Sequence, residues 1–416
     1  MSLSNKVNGW VSRMKLAILT QYYPPEVGAP QARLSEIAAH FAKKGHKVTV
    51  LTAMPNYPSG KIHPGYGGAL RRDEQNGVKV IRTFVYPTQR AAFLPRLTNY
   101  FSFVLSSSIA GSLLLEQPDY LLVESPPLFL GLAGVLLSRL KRARLIFNVS
   151  DLWPESAIRM GILKEGGWPS QLSTRLERFC YQHAWLITGQ SKSIIANIAE
   201  RFPACPTFHL SNGVDVDRFG QGQYSEAVRN TIATNGDFVA LYAGLHGLAQ
   251  GLDQILAASV ALSREQGFKF VLVGDGPMKA TLLEQSKQKC LSNVAFLEPR
   301  PAKDIPPLLA AADALLITLK VHIPGAVPSK LYEAMASGRP IVLMAEGEAA
   351  ELVRNHEAGI VVAPGDVSGM ATALRQLRAD PDLRRALGEN GRRAAVKHFD
   401  RSKIVSAFIE HLEVYP

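Results

Sequence analysis

The sequence predicts an α/β protein of two doubly wound domains facing each other across a cleft. Three observations carry this. Short apolar runs alternate with amphipathic helical segments in both halves of the 416-residue chain, the rhythm of parallel sheets covered on both faces. One polar stretch with three glycines, 220–237, interrupts that rhythm near the middle. Glycine-rich or acidic turns follow several of the apolar runs, where open α/β sheets gather their ligands.

In the first half, apolar runs at 15–20, 47–52, 79–84, 120–124, 144–149, 185–188 and 207–210 read as strands. Segment 31–44 reads as a helix with Leu34, Ile37, Ala38 and Phe41 on one face, stopped by Gly45. In the second half, strands are expected at 238–243, 269–274, 294–297, 314–318, 341–344 and 359–362. Helices are expected near 252–265, 278–289, 305–311, 329–335 and 369–378. The last stretch, 381–413, is helical with a break near Asp400. The expected division is a first domain over 14–218, a second over 219–395, and a terminal helix over 396–416 that returns to the first domain.

An apolar fraction of 47% with 19% charged residues describes a chain that buries large cores. The net charge of +11 is one-sided: residues 1–218 carry 25 Lys and Arg against 14 Asp and Glu, whereas residues 219–416 carry 21 of each. A basic first half suits a polyanionic partner such as nucleic acid, an anionic membrane or a phosphorylated lipid. A solvated basic surface is the competing reading. Cys180, Cys205 and Cys290 have no paired spacing, which counts against a disulfide framework or zinc site and fits a reducing cytoplasm. The polar start, 1–13, has no apolar core and does not read as a signal peptide, and Met14 is a candidate natural start. No uncharged apolar run reaches the ~18 residues that a membrane span needs.

The densest chemical signal is Pro328-Ser329-Lys330-Leu331-Tyr332-Glu333-Ala334-Met335-Ala336-Ser337-Gly338-Arg339-Pro340. It reads as a loop, a short helix ended by Gly338, and a strand opened by Pro340. Lys330 falls in the first helical turn and Glu333 about one turn later. A helix N-terminus with a lysine suits a phosphate, and a fixed carboxylate beside it suits a pair of sugar hydroxyls. Together they describe a grip on a nucleotide diphosphate.

Other turns point to the same face. Gly28 and Ala29 open a helix after the first strand, and Tyr23 lies in the same loop. Gly244, Gly247 and Gly251 surround a strand-to-helix turn that suits backbone contact with a diphosphate. Gly274-Asp275-Gly276-Pro277 is a similar turn, and Arg300 follows the strand after it. Neither GxGxxG nor GxxxxGK[ST] occurs, which counts against a dinucleotide-binding or P-loop reading. Asp151-Leu152-Trp153-Pro154-Glu155 follows a buried strand, so Asp151 is placed to position an acceptor hydroxyl or take its proton. Structural turns, capping and core packing compete for each of these segments. Asp215-x-Asp217 is a cheap pattern that recurs at Asp380-Pro381-Asp382, and no histidine pair has ligand spacing, so no metal site is expected. Segment 94–105 joins Arg96 to Tyr100, Phe101 and Phe103, a mixture suited to a membrane interface or to a buried helix with one surface arginine.

These motifs in this order resemble the retaining glycosyltransferases of family 4, in the two-domain GT-B class of facing Rossmann-like domains. The likeness spans nearly the whole chain. The Pro-Ser-Lys-Leu-Tyr-Glu wording and Asp151–Glu155 resemble the branch that builds bacterial surface polysaccharides, including fucosamine and colanic acid transferases. The resemblance implies a nucleotide-sugar donor, with uridine the usual base, held by Gly28, Gly244, Gly247, Gly274, Arg300, Lys330, Leu331, Glu333 and Glu351. It implies a lipid-linked acceptor, such as an undecaprenyl-diphosphate saccharide, near Tyr23, Trp153 and Glu155. Asp151 and Lys330 are the expected catalytic residues, with retention at the anomeric carbon and neither metal nor cofactor. The expected setting is the cytoplasm, peripherally on the inner face of a bacterial membrane, with an anionic bilayer and not nucleic acid as the polyanion.

Several positions depart from the family pattern. Gly325 stands where another glutamate is usual, eight residues before Glu333. Leu245 and Gln250 stand near the usual arginine and lysine, and Ser150-Asp151 where many members have a histidine. Glu348 and Glu351 both follow the next strand as candidates for the donor sugar. The departures keep two alternatives open, a GT-B nucleotide-sugar epimerase and a non-catalytic partner subunit. Conversion of UDP-N-acetylglucosamine without acceptor marks the first; donor hydrolysis or transfer by the chain alone excludes the second.

Overall fold

The computed structural model describes residues 13–57, 59–89, 93–234 and 236–414. The polar start expected over 1–13 lies, apart from Arg13, outside the described residues. Fourteen described strands form two sheets. The first holds β1 (Lys15–Leu19), β2 (Lys47–Ala53), β3 (Leu70–Gln75), β4 (Val78–Thr83), β5 (Tyr120–Ser125), β6 (Arg144–Val149), β7 (Leu186–Gly189) and β8 (Thr207–His209) in the order β3-β4-β2-β1-β5-β6-β7-β8. The second holds β9 (Phe238–Ala243), β10 (Phe268–Val273), β11 (Val294–Leu297), β12 (Ala314–Thr318), β13 (Ile341–Met344) and β14 (Gly359–Val362) in the order β11-β10-β9-β12-β13-β14.

Every pairing is parallel except β3 with β4. Period-two alternation divides each sheet between two cores. In β1, Ala17 and Leu19 join one cluster while Leu16 and Ile18 join the opposite one. In β9, Val239 and Leu241 face one side and Phe238, Ala240 and Tyr242 the other. Burial on both faces is why these strands read as continuous apolar runs.

Two elements escape that reading. Strand β3 is the polar run Leu-Arg-Arg-Asp-Glu-Gln, mostly exposed at the sheet edge. Its Asp73 accepts from buried Arg82 of β4 at 3.1 Å. An edge strand needs no apolar face, so it leaves no hydrophobic trace. The polar stretch 220–237 contains the helix Glu226–Ile232, capped by Ser225.

The terminal helix Arg401–Val414 packs on the first sheet's core, where Phe408 meets Phe41 edge-on at 6.1 Å. Its start is pinned by Arg401, which donates to the carbonyls of Asn212 and Gly213 and pairs with Glu36. The carboxyl edges of the two sheets face one another. The Glu348 carboxylate, after β13, accepts from the backbone N–H groups of Lys192 and Ser193 after β7 at 2.9 and 2.7 Å. Tyr332 and Ser211 make a second contact at 3.3 Å.

Candidate functional site

In each sheet the chain reverses its winding beside a central strand, between β1 and β5 and between β9 and β12. Loops leaving such a point diverge and open a crevice at the carboxyl edge. The second crevice holds the motif helix, Ser329–Ser337, which follows β12. Leu331, Ala334 and Met335 bury its inner face, as their spacing requires. Gly338 ends it in the left-handed conformation. No side chain caps its N-terminus.

Lys330 reaches from that first turn across to the end of β9. Its Nζ donates to the Tyr242 hydroxyl at 2.7 Å, and Tyr242 donates onward to the Leu245 carbonyl at 2.8 Å. An ammonium has only donors, so the phenol must accept from it. Gly244 makes the approach possible: a Cβ there would overlap the lysine's terminal atoms. Burial lowers the Lys330 ammonium from 10.5 to about 8, with Glu333 opposing the shift. Glu333 lies half-buried on the same helix. Its carboxyl is raised by burial and held back by Lys330, Arg401 and Arg218.

The remaining residues expected at the donor divide. Gly274 packs against the Gly244 carbonyl, so close backbone packing accounts for it, whereas Gly247 lies against the Gln250 side chain. Arg300 is exposed beyond β11. Leu331 has its side chain fully buried in the core and its N–H bonded to the Pro328 carbonyl at 2.9 Å. Glu348 is occupied by the other domain, whereas Glu351, one turn on, is exposed. Gly325 has a positive φ of 75°, and a Cβ there would stand 2.5 Å from Ile194 of the first domain. That contact leaves no room for the acid usual at this position.

In the first domain, Gly28 caps the helix Ala29–Lys43 without a side-chain bond. Asp151 follows β6, and burial together with Glu124 pushes its carboxyl from 3.8 to about 6, with Arg33 opposing. Beneath it lies a buried polar network. Arg33 donates to Glu124 at 2.5 Å, to Ser150 at 2.8 Å and to Asn212 at 2.6 Å. Glu124 also accepts from Ser150 and Asn148, both at 2.6 Å, and Gln190 bonds Asn212 and the Ser150 carbonyl. All six are buried. Such a network fixes the ends of β5, β6 and β7, and with them Asp151. Glu155 starts the short helix Glu155–Arg159, and Trp153 packs against the apolar core with its indole nitrogen buried. Tyr23, expected at the acceptor, is 2% exposed and packs in the core under the first helix.

Three features were missed by sequence reasoning. Glu124 stands next to last in the buried run Tyr-Leu-Leu-Val-Glu-Ser, close to the strand-end signal that singled out Asp151. Tyr242 reads as one more apolar residue of β9. His246 is fully buried between Tyr242 and Phe296, ring centroids 6.0 and 6.3 Å away, with neither ring nitrogen bonded among the described residues. Burial, Lys279 and Lys330 lower it to about 4, so it is neutral near pH 7. Among the described residues, no group of three or more His, Cys, Asp or Glu is placed to hold a metal ion.

The chain matches two family models, "Glycosyl transferase 4-like domain" over residues 28–213 and "Glycosyl transferases group 1" over residues 225–394. This chain is a GT-B glycosyltransferase of the group 1, family-4-like kind. It is 27% identical to WcaI of Escherichia coli (strain K12), described as a colanic acid biosynthesis glycosyl transferase, over 96% of this chain and 100% of WcaI. Among solved structures, the fold resembles the sucrose-phosphate synthase of Thermosynechococcus elongatus, with a TM-score of 0.78 at 16% identity over 97% of this chain and 99% of that one. It also resembles HepE of Anabaena in complex with UDP-glucose, with a TM-score of 0.72 at 19% identity over 97% and 100% of the two chains. The group 1 model covers the Tyr242–Lys330–Glu333 cluster of this glycosyltransferase, and the 4-like model covers the Asp151 network.

Proposed function

We propose that this glycosyltransferase moves a sugar from a nucleotide-diphosphate sugar, UDP-linked, to a lipid-linked saccharide such as one on undecaprenyl diphosphate, with retention, in assembly of a bacterial surface polysaccharide. The second domain, from about Phe219, takes the donor, and the first domain takes the acceptor. The carrying observation is the Lys330 ammonium, partly desolvated and held over Gly244 by Tyr242. The UDP-glucose bound by HepE supports the donor class, and the likeness to WcaI supports the product class.

In the proposed reaction, the bond between the anomeric carbon and the diphosphate oxygen breaks as the acceptor oxygen bonds to that carbon from the same face. The acceptor proton passes to the departing diphosphate. Lys330, the helix N-terminus and the turn amides stabilise the negative charge that builds there, usually the largest single contribution to catalysis. Glu333 accepts from the ribose hydroxyls, and Asp151 orients the acceptor hydroxyl. The scheme needs no bound metal, because the lysine and backbone donors supply the positive charge.

The test is a thermal-shift screen of the purified protein against nucleoside diphosphates and their sugars, because a ligand that binds only the folded state raises the unfolding temperature. UDP and one UDP-sugar should raise it. An anomer-resolved product analysis with a lipid-linked acceptor then tests retention. Absence of any shift with every nucleotide removes the donor reading.

A further inference from the structure

The helices Phe93–Leu114 and Leu130–Lys141 cover one face of the first sheet side by side. On the first, Phe101, Leu105, Ile109 and Leu113 recur every four residues and are exposed, Leu113 by 76%. Residues at that spacing share one slowly turning stripe. On the second, Leu132, Leu136 and Leu140 repeat the pattern. Phe101 touches Phe129 at a centroid distance of 4.8 Å, and Gly111 lies against Leu137. These two contacts run in the same direction along both helices, so the stripes lie next to one another over about 18 Å, at 1.5 Å per residue from 101 to 113. Isolated surface leucines need no explanation, but a continuous face of seven does.

The charges around this face say what covers it. Neither 93–115 nor 126–142 contains an Asp or Glu. Arg96 precedes the first stripe, and Arg139 and Arg142 are exposed at the end of the second, beside Leu136 and Leu140. We propose that this two-helix face docks in the plane of an anionic lipid bilayer. Apolar side chains then enter the interface while arginines meet lipid phosphates. A second copy of the chain fits poorly: a two-fold interface sets a patch against itself, and here arginines would meet arginines with no carboxylate between them. No helix among the described residues is long and apolar enough to cross a membrane, so attachment is lateral. The aromatic end of the face, Tyr100, Phe101 and Phe129, lies where the second helix leaves β5, at the carboxyl edge that carries Glu124 and Ser125. Docking therefore brings the bilayer to the acceptor side of the cleft. This deepens the lipid-linked acceptor reading above and rests on it for its purpose, but its test does not use the acceptor.

The experiment is vesicle cosedimentation of the full chain, with phosphatidylcholine alone or mixed with phosphatidylglycerol, at low and high salt. The mixed vesicles should bind the protein about tenfold more tightly at low salt, and salt should erase the difference. The pair Leu105→Asp/Leu136→Asp should lose binding to mixed vesicles by about tenfold or more, since each substitution places a carboxylate among lipids. The pair Arg139→Glu/Arg142→Glu should lose the phosphatidylglycerol preference. Both should keep the wild-type thermal shift with UDP. Equal binding to the two vesicle types overturns the proposal, as does unchanged binding by the leucine variant. So does a wild-type dimer in sedimentation that the leucine variant dissociates. A wild type that binds vesicles but no nucleotide sinks the donor reading and leaves this face standing.

Discussion

Replacing Lys330 with methionine should make the protein more stable and less active at once. The lysine's acid–base equilibrium moves from 10.5 to about 8, and at ~1.36 kcal/mol per unit the desolvation cost has a ceiling near 3 kcal/mol. Lys330 is only half-buried, and solvent screening brings that to about 1.5 kcal/mol. Methionine forfeits the hydrogen bond to Tyr242, worth about 0.5–1 kcal/mol. The net is a variant about 0.5–1 kcal/mol more stable at pH 7, a rise in Tm of about 1–4 °C for domains of this size. The sign with pH follows from proton counting. Between about 8 and 10.5 the unfolded wild type holds a proton that the folded state has lost, so wild-type stability rises across that window. The variant's advantage should shrink from pH 8 to pH 10. Transfer should fall by about 2–4 kcal/mol in kcat/KM, roughly 30- to 1,000-fold, if the ammonium meets the departing diphosphate. Calorimetric scans at pH 7 and 10 beside steady-state transfer assays decide it. A variant that transfers normally and unfolds earlier would make Lys330 a structural residue and refute the reasoning.

Asp151→Asn should remove the acid limb of the transfer profile, which in the wild type rises through about pH 6 as the carboxylate forms, and should slow transfer by about 10²–10⁴-fold. Because the folded-state value lies above the ordinary 3.8, this group's contribution is lost as pH rises from about 4 to 6, and the variant should be the more stable above pH 6; equal pH profiles would clear Asp151 of a role. Glu124→Gln leaves Arg33 buried without its charge partner and should cost about 3–5 kcal/mol in urea unfolding; a loss under 1 kcal/mol would mean the network relaxes around the amide. Glu348→Ala removes the acceptors for Lys192 and Ser193 and should cost about 1 kcal/mol at that helix start. Its sharper signature is a larger radius of gyration in small-angle scattering, and an unchanged radius would show that this contact does not hold the domains together.

The sequence by itself determined the parallel sheets and the motif helix. Strands β9, β11, β12, β13 and β14 fall where the apolar runs place them, because a strand buried on both faces must be apolar throughout. The motif helix starts at Ser329 and stops at Gly338, because a proline before it and a left-handed glycine after it act within a few residues of chain. Lys330 and Glu333 were legible for the same reason: one helical turn fixes their spacing. What only the tertiary structure decided depends on residues distant in sequence. Tyr242 meets Lys330 across 88 positions, and Arg33 meets Glu124 across 91, distances at which no local pattern reports a partner. Tyr23 and Leu331 looked available for ligands because a loop or a motif held them, and the fold spent both on its cores. Gly325 and Glu348 acquire their meaning from the facing domain, whose position is set by packing between surfaces that neither stretch of sequence contains.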